Sequence, residues 1–254
     1  MRFVFVENDS DDGTQQLLAA WCKNRPGYAH LIDLRGLGQL PIRTLRLELA
    51  RNAYLQWIKT QRPWAESEYL MVLDMDGIGT YPLALGQIHD SLRFLAEGED
   101  RAAVFPNQIG PYYDLWACRE PSWCPDDVWE LIFDCLESGA MNEQDAFQAH
   151  FMTRHITLPS WSPMREVASA FGGAGLYKMR FVHQNPNPYV GSKVKFMPVA
   201  GAAARFARWQ MCEHVHFHAG FQAVGGRLFI NPAWIHGINT EPLPHPSFCR
   251  SLLF

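Results

Sequence analysis

Two aspartates separated by one residue close an apolar run in this chain: Tyr69-Leu70-Met71-Val72-Leu73-Asp74, followed by Met75-Asp76-Gly77. Carboxylates spaced in this way at the carboxyl end of a buried strand can share a hard divalent cation, directly or through water. Such an ion can bridge diphosphate oxygens and offset charge on a departing nucleotide diphosphate. Acidic residues after a strand also serve as plain solvated caps. A second reactive grouping is Cys212-Glu213-His214. Glu213 can act as a base toward a hydroxyl held within hydrogen-bond reach, or it can simply be an acid favoured by a helix dipole. His214, His216 and His218 alternate. On a strand they share one face, and on a helix His214 and His218 are neighbours. With Cys212 and the carboxylates they make no standard closed zinc site. A helix with His214 near substrate and the other two histidines in structural roles is the expected arrangement.

Alternating strands and helices are needed to position these groups. Arg2 to Glu7 reads as a strand, meeting the polar turn 8–14, and Gln15 to Lys23 as a helix. His30 to Leu34 is a second strand, followed by the Gly36/Gly38 loop. Ile42, Leu45, Leu49, Ala53 and Trp57 recur every three or four residues between Pro41 and Pro63, which predicts a helix over 42–61. The 69–74 run then reads as a buried parallel strand. Ala102 to Pro106 is another strand, and Asp126 to Glu137 a helix capped by Asp126 and ended near Gly139. The stretch 155–163 is irregular, 213–224 helical, and Arg227 to Ile230 a strand closed by Asn231-Pro232. The expectation is one α/β domain over 1–254 with a mostly parallel central sheet. Ligands of such a sheet gather beyond the carboxyl ends of its strands.

Composition narrows the function. Hydrophobic residues make up 48% and charged residues 19%, enough for a sizeable core. Nine Trp and 16 Phe are many, so some are expected to line a cleft. The balance of 22 basic against 26 acidic residues gives −4, which argues against a nucleic-acid footprint. The six cysteines form no C-x-x-C pair and read as free thiols of a reducing compartment. No stretch approaches the roughly 18 apolar residues of a membrane span, and the start is no signal peptide. A cytoplasmic location with no transmembrane segment is expected.

The ordered motifs resemble those of GT-A glycosyltransferases, nearly end to end. Glu7-Asn8-Asp9-Ser10-Asp11-Asp12-Gly13-Thr14 is similar to the turn after an early strand of that family, where acidic and amide groups face the nucleotide. Ala50-Arg51-Asn52 resembles its Ala-Arg-Asn signature, which places the arginine near base or diphosphate. Asp74 and Asp76 correspond to its metal-binding Asp-x-Asp motif, and His236, after Phe229 to Ile235, to its histidine ligand for manganese. Ala170-Phe171-Gly172-Gly173-Ala174-Gly175 resembles the glycine-rich segment approaching donor sugar and acceptor, and Glu213 the acid that deprotonates the acceptor in inverting members. His214 replaces the usual second acid there, leaving either residue as candidate base and the stereochemistry open. Tyr113-Asp114-Leu115-Trp116-Ala117-Cys118-Arg119 resembles a segment of capsule-type α-mannosyltransferases. Asp114, Trp116 and Arg119 then become candidate sugar-binding groups, alternatively a packed edge strand with one buried ion pair.

The resemblance implies a GT-A domain that lacks the family's usual first strand, with a nucleotide- and metal-binding half over 1–110 and an acceptor-binding half over 111–254. It implies a hexosyltransferase of polysaccharide biosynthesis that uses Mn2+ or Mg2+ and a UDP- or GDP-sugar, with a glycan or glycoconjugate as acceptor. Two other readings stay open. One is a non-catalytic nucleotide- or sugar-binding module on the same scaffold. The other is a HAD-type phosphatase, since Val72 to Gly77 also resembles that family's nucleophile motif, with Asp74 attacking phosphorus and Asp76 as acid/base.

Overall fold

The computed structural model describes residues 1–75, 82–197, 205–239 and 242–254. Strand β1 (Phe3–Glu7) pairs in parallel with β2 (Ala29–Asp33), from Phe3↔Ala29 to Glu7↔Asp33, and helix α1 (Thr14–Lys23) joins them. Trp21 of α1 sets its edge against Phe3 and Phe5 at 5.3 and 5.4 Å. His30 of β2 stacks on Trp57 at 3.5 Å and so docks the pair on α2 (Arg43–Thr60). The 42–61 helix is therefore present, but its phase differs from the apolar pattern. Its buried residues are Thr44, Arg51, Leu55 and Ile58, whereas Leu49 is 47% exposed. The inward stripe is partly polar because the helix carries Arg51 to the site.

Beyond a four-residue helix α3 (Arg62–Ala65), five strands form a second sheet. They are β3 (Tyr69–Leu73), β4 (Arg101–Ile109), β5 (Arg165–Val167), β6 (Ala174–Lys178) and β9 (Arg227–Ile238), in the order β3-β6-β4-β9-β5. Only β4 and β9 run parallel; β6 is antiparallel to both β3 and β4, and β5 to β9. The mostly parallel sheet expected from sequence is thus replaced by a mixed one. The glycine segment ends at Gly173, and Ala174 and Gly175 enter a strand running back along β3. Strand β9 also does not end at Asn231-Pro232. It bulges there, and the Asn107 side-chain amide donates to the Pro232 carbonyl at 3.1 Å while the ladder resumes at Asn107↔Ile235.

Side chains alternate between two cores across this sheet. Val104, Leu176 and Phe229 meet Leu95 of α4 (Leu85–Glu97) on one face. Ala103, Phe105, Tyr177, Leu228 and Ile230 meet the other face. There they pack with α5 (Val128–Glu137), α6 (Glu143–His150), α7 (Met179–Gln184) and α8 (Glu213–Ala223). Strands β7 (Ser192–Met197) and β8 (Arg205–Gln210) form a separate antiparallel ribbon. The cap of α5 is Asp127, whose carboxylate accepts from the amides of Trp129 and Glu130; Asp126 lies one residue too early for that reach. All six cysteines are free, and no described helix is long and apolar enough to cross a membrane.

Helix α8 is held by a fitted contact. Asn185 and Asn187 donate to the Phe217 and His216 carbonyls at 2.9 Å each. A Cβ added at Gly220 would stand 1.8 Å from Asn185 Oδ1. Gly220→Ala is therefore expected to cost about 1–3 kcal/mol, by the usual penalty for overpacking. Urea denaturation checks it, and an unchanged midpoint would refute the packing described.

Candidate functional site

Arg51 projects from the middle of α2 into a junction of three chain segments. Its Nε donates to Glu213 Oε1 at 2.6 Å, and its Nη2 to Asp74 Oδ1 and Oδ2 at 3.0 and 3.1 Å. The guanidinium lies over the Phe171 ring at 4.8 Å. Burial alone would lower the Arg51 pKa, but the charges of Glu213 and Asp74 outweigh it and hold the pKa well above the ordinary value.

The glycine turn ties this junction to the 113–119 segment. The Asp74 amide donates to the Gly173 carbonyl at 2.9 Å. The Gly172 amide donates to Asp114 Oδ2 at 3.1 Å, and the Ala117 amide to Asp114 Oδ1 at 3.1 Å. Gly172 and Gly173 have φ of 64° and 85°, the left-handed conformation that glycine alone adopts freely. Burial pushes the Asp114 carboxyl above its usual range, against those two backbone hydrogen bonds and with help from the charges of Glu213 and Asp74.

Glu213 opens α8, where the helix dipole favours an acid. His214 beside it stacks on Phe171 with centroids 3.8 Å apart. Its Nε2 lies 3.4 Å from Glu213 Oε1, yet neither ring nitrogen makes a hydrogen bond among the described residues. Burial first, then the charge of Arg51, lowers its pKa well below the ordinary value, so the ring is neutral at pH 7. A buried imidazole with open nitrogens is a group that a ligand hydroxyl or oxygen can satisfy.

These residues share one cavity of about 280 Å³. Its lining includes charged and polar groups, Arg51, Asp74, Asp114, Glu213 and His214, and aromatic ones, Tyr113, Trp116, Trp129, Phe151, His155 and Phe248. Sequence reasoning found the charged groups and, of the aromatic ones, Trp116. It missed Trp129, Phe151 and Phe248, which lie among helical apolar residues and carry no local mark that separates cleft from core.

Other candidates stand elsewhere. Glu7 is buried at the end of β1, where Oε1 accepts the Ser10 amide at 2.8 Å and Oε2 has no partner among the described residues. Asp9, joined by Asn8, receives the Gly36 and Gly38 amides at 2.7 and 2.6 Å and so braces a loop. Asn52 clamps both backbone groups of Tyr189, at 2.9 and 3.0 Å. Arg119 turns onto the Trp116 and Cys118 carbonyls and pairs with Asp127 at 3.1 Å, the buried ion pair of the alternative reading. That segment is a turn, not an edge strand.

His236 is buried on β9, and Asp76 lies outside the described residues. Among the described residues no three His, Cys, Asp or Glu side chains gather as a metal cluster. Asp74 and Glu213 pair with the buried Arg51, Asp114 lines the same cavity, and Asp74 keeps 28% of its side chain exposed.

His216 is half-buried, its carbonyl taken by Asn187. His218 sits behind the cavity, bonded to Ser169 Oγ at 2.9 Å and Tyr177 OH at 3.0 Å. No protein-family model matches this sequence, and no curated protein matches it.

Two expectations follow from these buried charges. Arg51→Leu leaves two carboxylates without their cation and is expected to cost about 3–5 kcal/mol in urea unfolding at neutral pH. Adding Asp74→Asn and Glu213→Gln to it should recover part of that loss; a single variant as stable as the parent would show that the pairs do not form. The second concerns acid. Burial, then the Arg51 charge, lowers the His218 pKa to about 3. The unfolded chain takes up that proton near pH 6.5 and the folded one does not, so stability falls as pH drops below 6.5. Between pH 6.5 and 5 the slope in His218→Gln should be shallower by an amount that grows to about 1.4 kcal/mol per pH unit toward pH 5. Identical slopes would mean a solvated His218.

Proposed function

We propose that this chain is a nucleotide-sugar-dependent glycosyltransferase that moves a hexose from a UDP- or GDP-sugar to a glycan or glycoconjugate acceptor. The observation that carries this reading is one cavity lined both by an arginine-carboxylate cluster and by several aromatic side chains. Charged groups of that kind suit a diphosphate and its counter-ion, and aromatic faces suit the C–H surfaces of sugars.

Asp74 and Asp76, with His236, are the residues proposed to hold Mn2+ or Mg2+. Bound there, the cation offsets the charge of the departing diphosphate. Arg51 fixes Asp74 and Glu213 at set positions before substrate arrives, so little reorganisation is left for the reaction. Asp114 and Trp116 orient acceptor hydroxyls and ring, Gly173 leaves room for the sugar in the cavity lining, and Gly172 anchors Asp114 through its amide. In an inverting reaction Glu213 takes the proton of the attacking hydroxyl, with neutral His214 donating or accepting a hydrogen bond beside it. In a retaining one Glu213 positions Arg51.

The binding-module reading is favoured by one observation: Arg51 holds both Asp74 and Glu213 by hydrogen bonds, as a purely structural triad would. Turnover separates the two. Release of UDP or GDP from a panel of nucleotide sugars with manganese is expected for the parent. Asp76→Asn should abolish the metal-dependent turnover without lowering Tm, and Glu213→Gln should reduce kcat by about 10²–10⁴-fold if it is the base. Nucleotide binding by calorimetry without any donor turnover would leave the module, and full activity in Asp76→Asn would sink the metal assignment.

A further inference from the structure

A second cavity, of about 680 Å³, lies apart from the first. Its lining includes Thr157, Pro159, Ser162, Glu166 and Gln222, with Glu120 and Arg165 at one side. The segment 155–158 divides it from the first cavity: His155 lines one, and Ile156 through Leu158 the other. That divider is pinned from behind, by the Tyr112 amide on the Ile156 carbonyl at 2.7 Å and the Asn107 side chain on the Leu158 carbonyl at 2.9 Å.

Three features bear on what this cavity takes. Its charges are already matched: Glu120 pairs with Arg165, and Glu166 with Arg227. A charged ligand therefore finds no uncompensated partner, in contrast to the first cavity. The lining mixes planar polar side chains and hydroxyls with proline and methionine surfaces, which suits a molecule carrying both C–H faces and hydroxyl groups. Finally, Trp161 is 84% exposed, on a turn closed by the Ser162 amide donating to the Pro159 carbonyl at 2.9 Å, and Pro159, Ser162 and Pro163 of that turn all line the cavity. An indole held in water on a closed turn stabilises no core, and its face offers C–H stacking to a ring.

From these we infer that the second cavity and Trp161 form a binding site for a neutral oligosaccharide. The inference rests on the proposed function in one respect: the sugar bound there is a distal part of the acceptor, whose reacting end lies across the 155–158 divider in the first cavity.

The test is binding of the full chain to an array of neutral and acidic glycans, with neither nucleotide sugar nor metal added. The parent is expected to retain neutral oligosaccharides. Trp161→Ala should weaken them about tenfold, the loss expected for removing one aromatic platform, ~1.4 kcal/mol, and should leave Tm unchanged because the indole is exposed. Gln222→Ala, a change within the cavity lining, should weaken the same glycans. An array on which no neutral glycan is retained, or on which Trp161→Ala binds as the parent does, overturns the inference. Because the assay needs no donor, those outcomes are distinct from a failure of the transferase reading, which shows only in nucleotide release.

Discussion

Taking a guanidinium out of water is costly unless its charge and its hydrogen-bond donors are met, and the centre of this fold meets those of Arg51 with groups far apart in sequence. Asp74 ends β3 and Glu213 begins α8, so the two bonds to Arg51 lock the middle of α2 against both. Removing Arg51 leaves both carboxylates without their cation, which makes the triad a placement device as much as a source of stability. Phe171 over the guanidinium and Tyr189 at 5.9 Å close the remaining sides with π faces in place of solvent. The cost of the arrangement is visible on α2 itself, whose inward stripe gives a core position to a charged residue.

The direction of β6 is what allows the glycine turn to serve this junction. Since β6 is antiparallel to β3, its first residue, Ala174, lies opposite Leu73, the last residue of β3. The turn before β6 therefore falls beside Asp74, and the Gly173 carbonyl accepts the Asp74 amide. Had β6 run parallel to β3, the same turn would sit at the other end of the strand pair, a strand length from Asp74. Gly172 is constrained twice: its φ is left-handed, and a Cβ there would come within 2.6 Å of the Gln108 side chain. Through its amide it passes the constraint on to Asp114, so the charged groups and the start of the aromatic lining are set by one turn.

What could be read from the sequence follows from how local each cause is. Strand and helix positions from Phe3 to Thr60, the helix at 213–223 and the free cysteines are fixed by local pattern, and they stand as expected. Asp74 and Glu213 were legible as acids at element ends, whereas Arg51 and Asp114 stood out only because their segments resemble family motifs. The phase of α2 was not, since apolar spacing chose Leu49 while the burial of Arg51 depends on carboxylates elsewhere. Strand direction was not legible either, because β6 is an apolar run in either sense and only its partners decide. The bulge at Asn231-Pro232 looked like a strand end because Pro232 offers no N–H, and its continuation rests on Asn107, a residue on another strand. Arg119 and Asn52 carried the right chemistry but satisfy backbone groups nearby, a fate that residue type alone does not reveal.

Under the proposed reading, Asp74 is asked to serve Arg51 and a cation together, and the geometry of a carboxylate allows it. Each of its two oxygens has two lone-pair sites. Arg51 Nη2 reaches both oxygens at nearly equal distance, 3.0 and 3.1 Å. The side chain lines the cavity and keeps 28% of its surface exposed. Arg51 is then less a competitor for the metal than a brace: it fixes the orientation of the carboxylate, and it tempers a charge that would otherwise draw any cation into the same place. Under that reading a ligand diphosphate would add negative charge at this point, and a divalent ion would offset it.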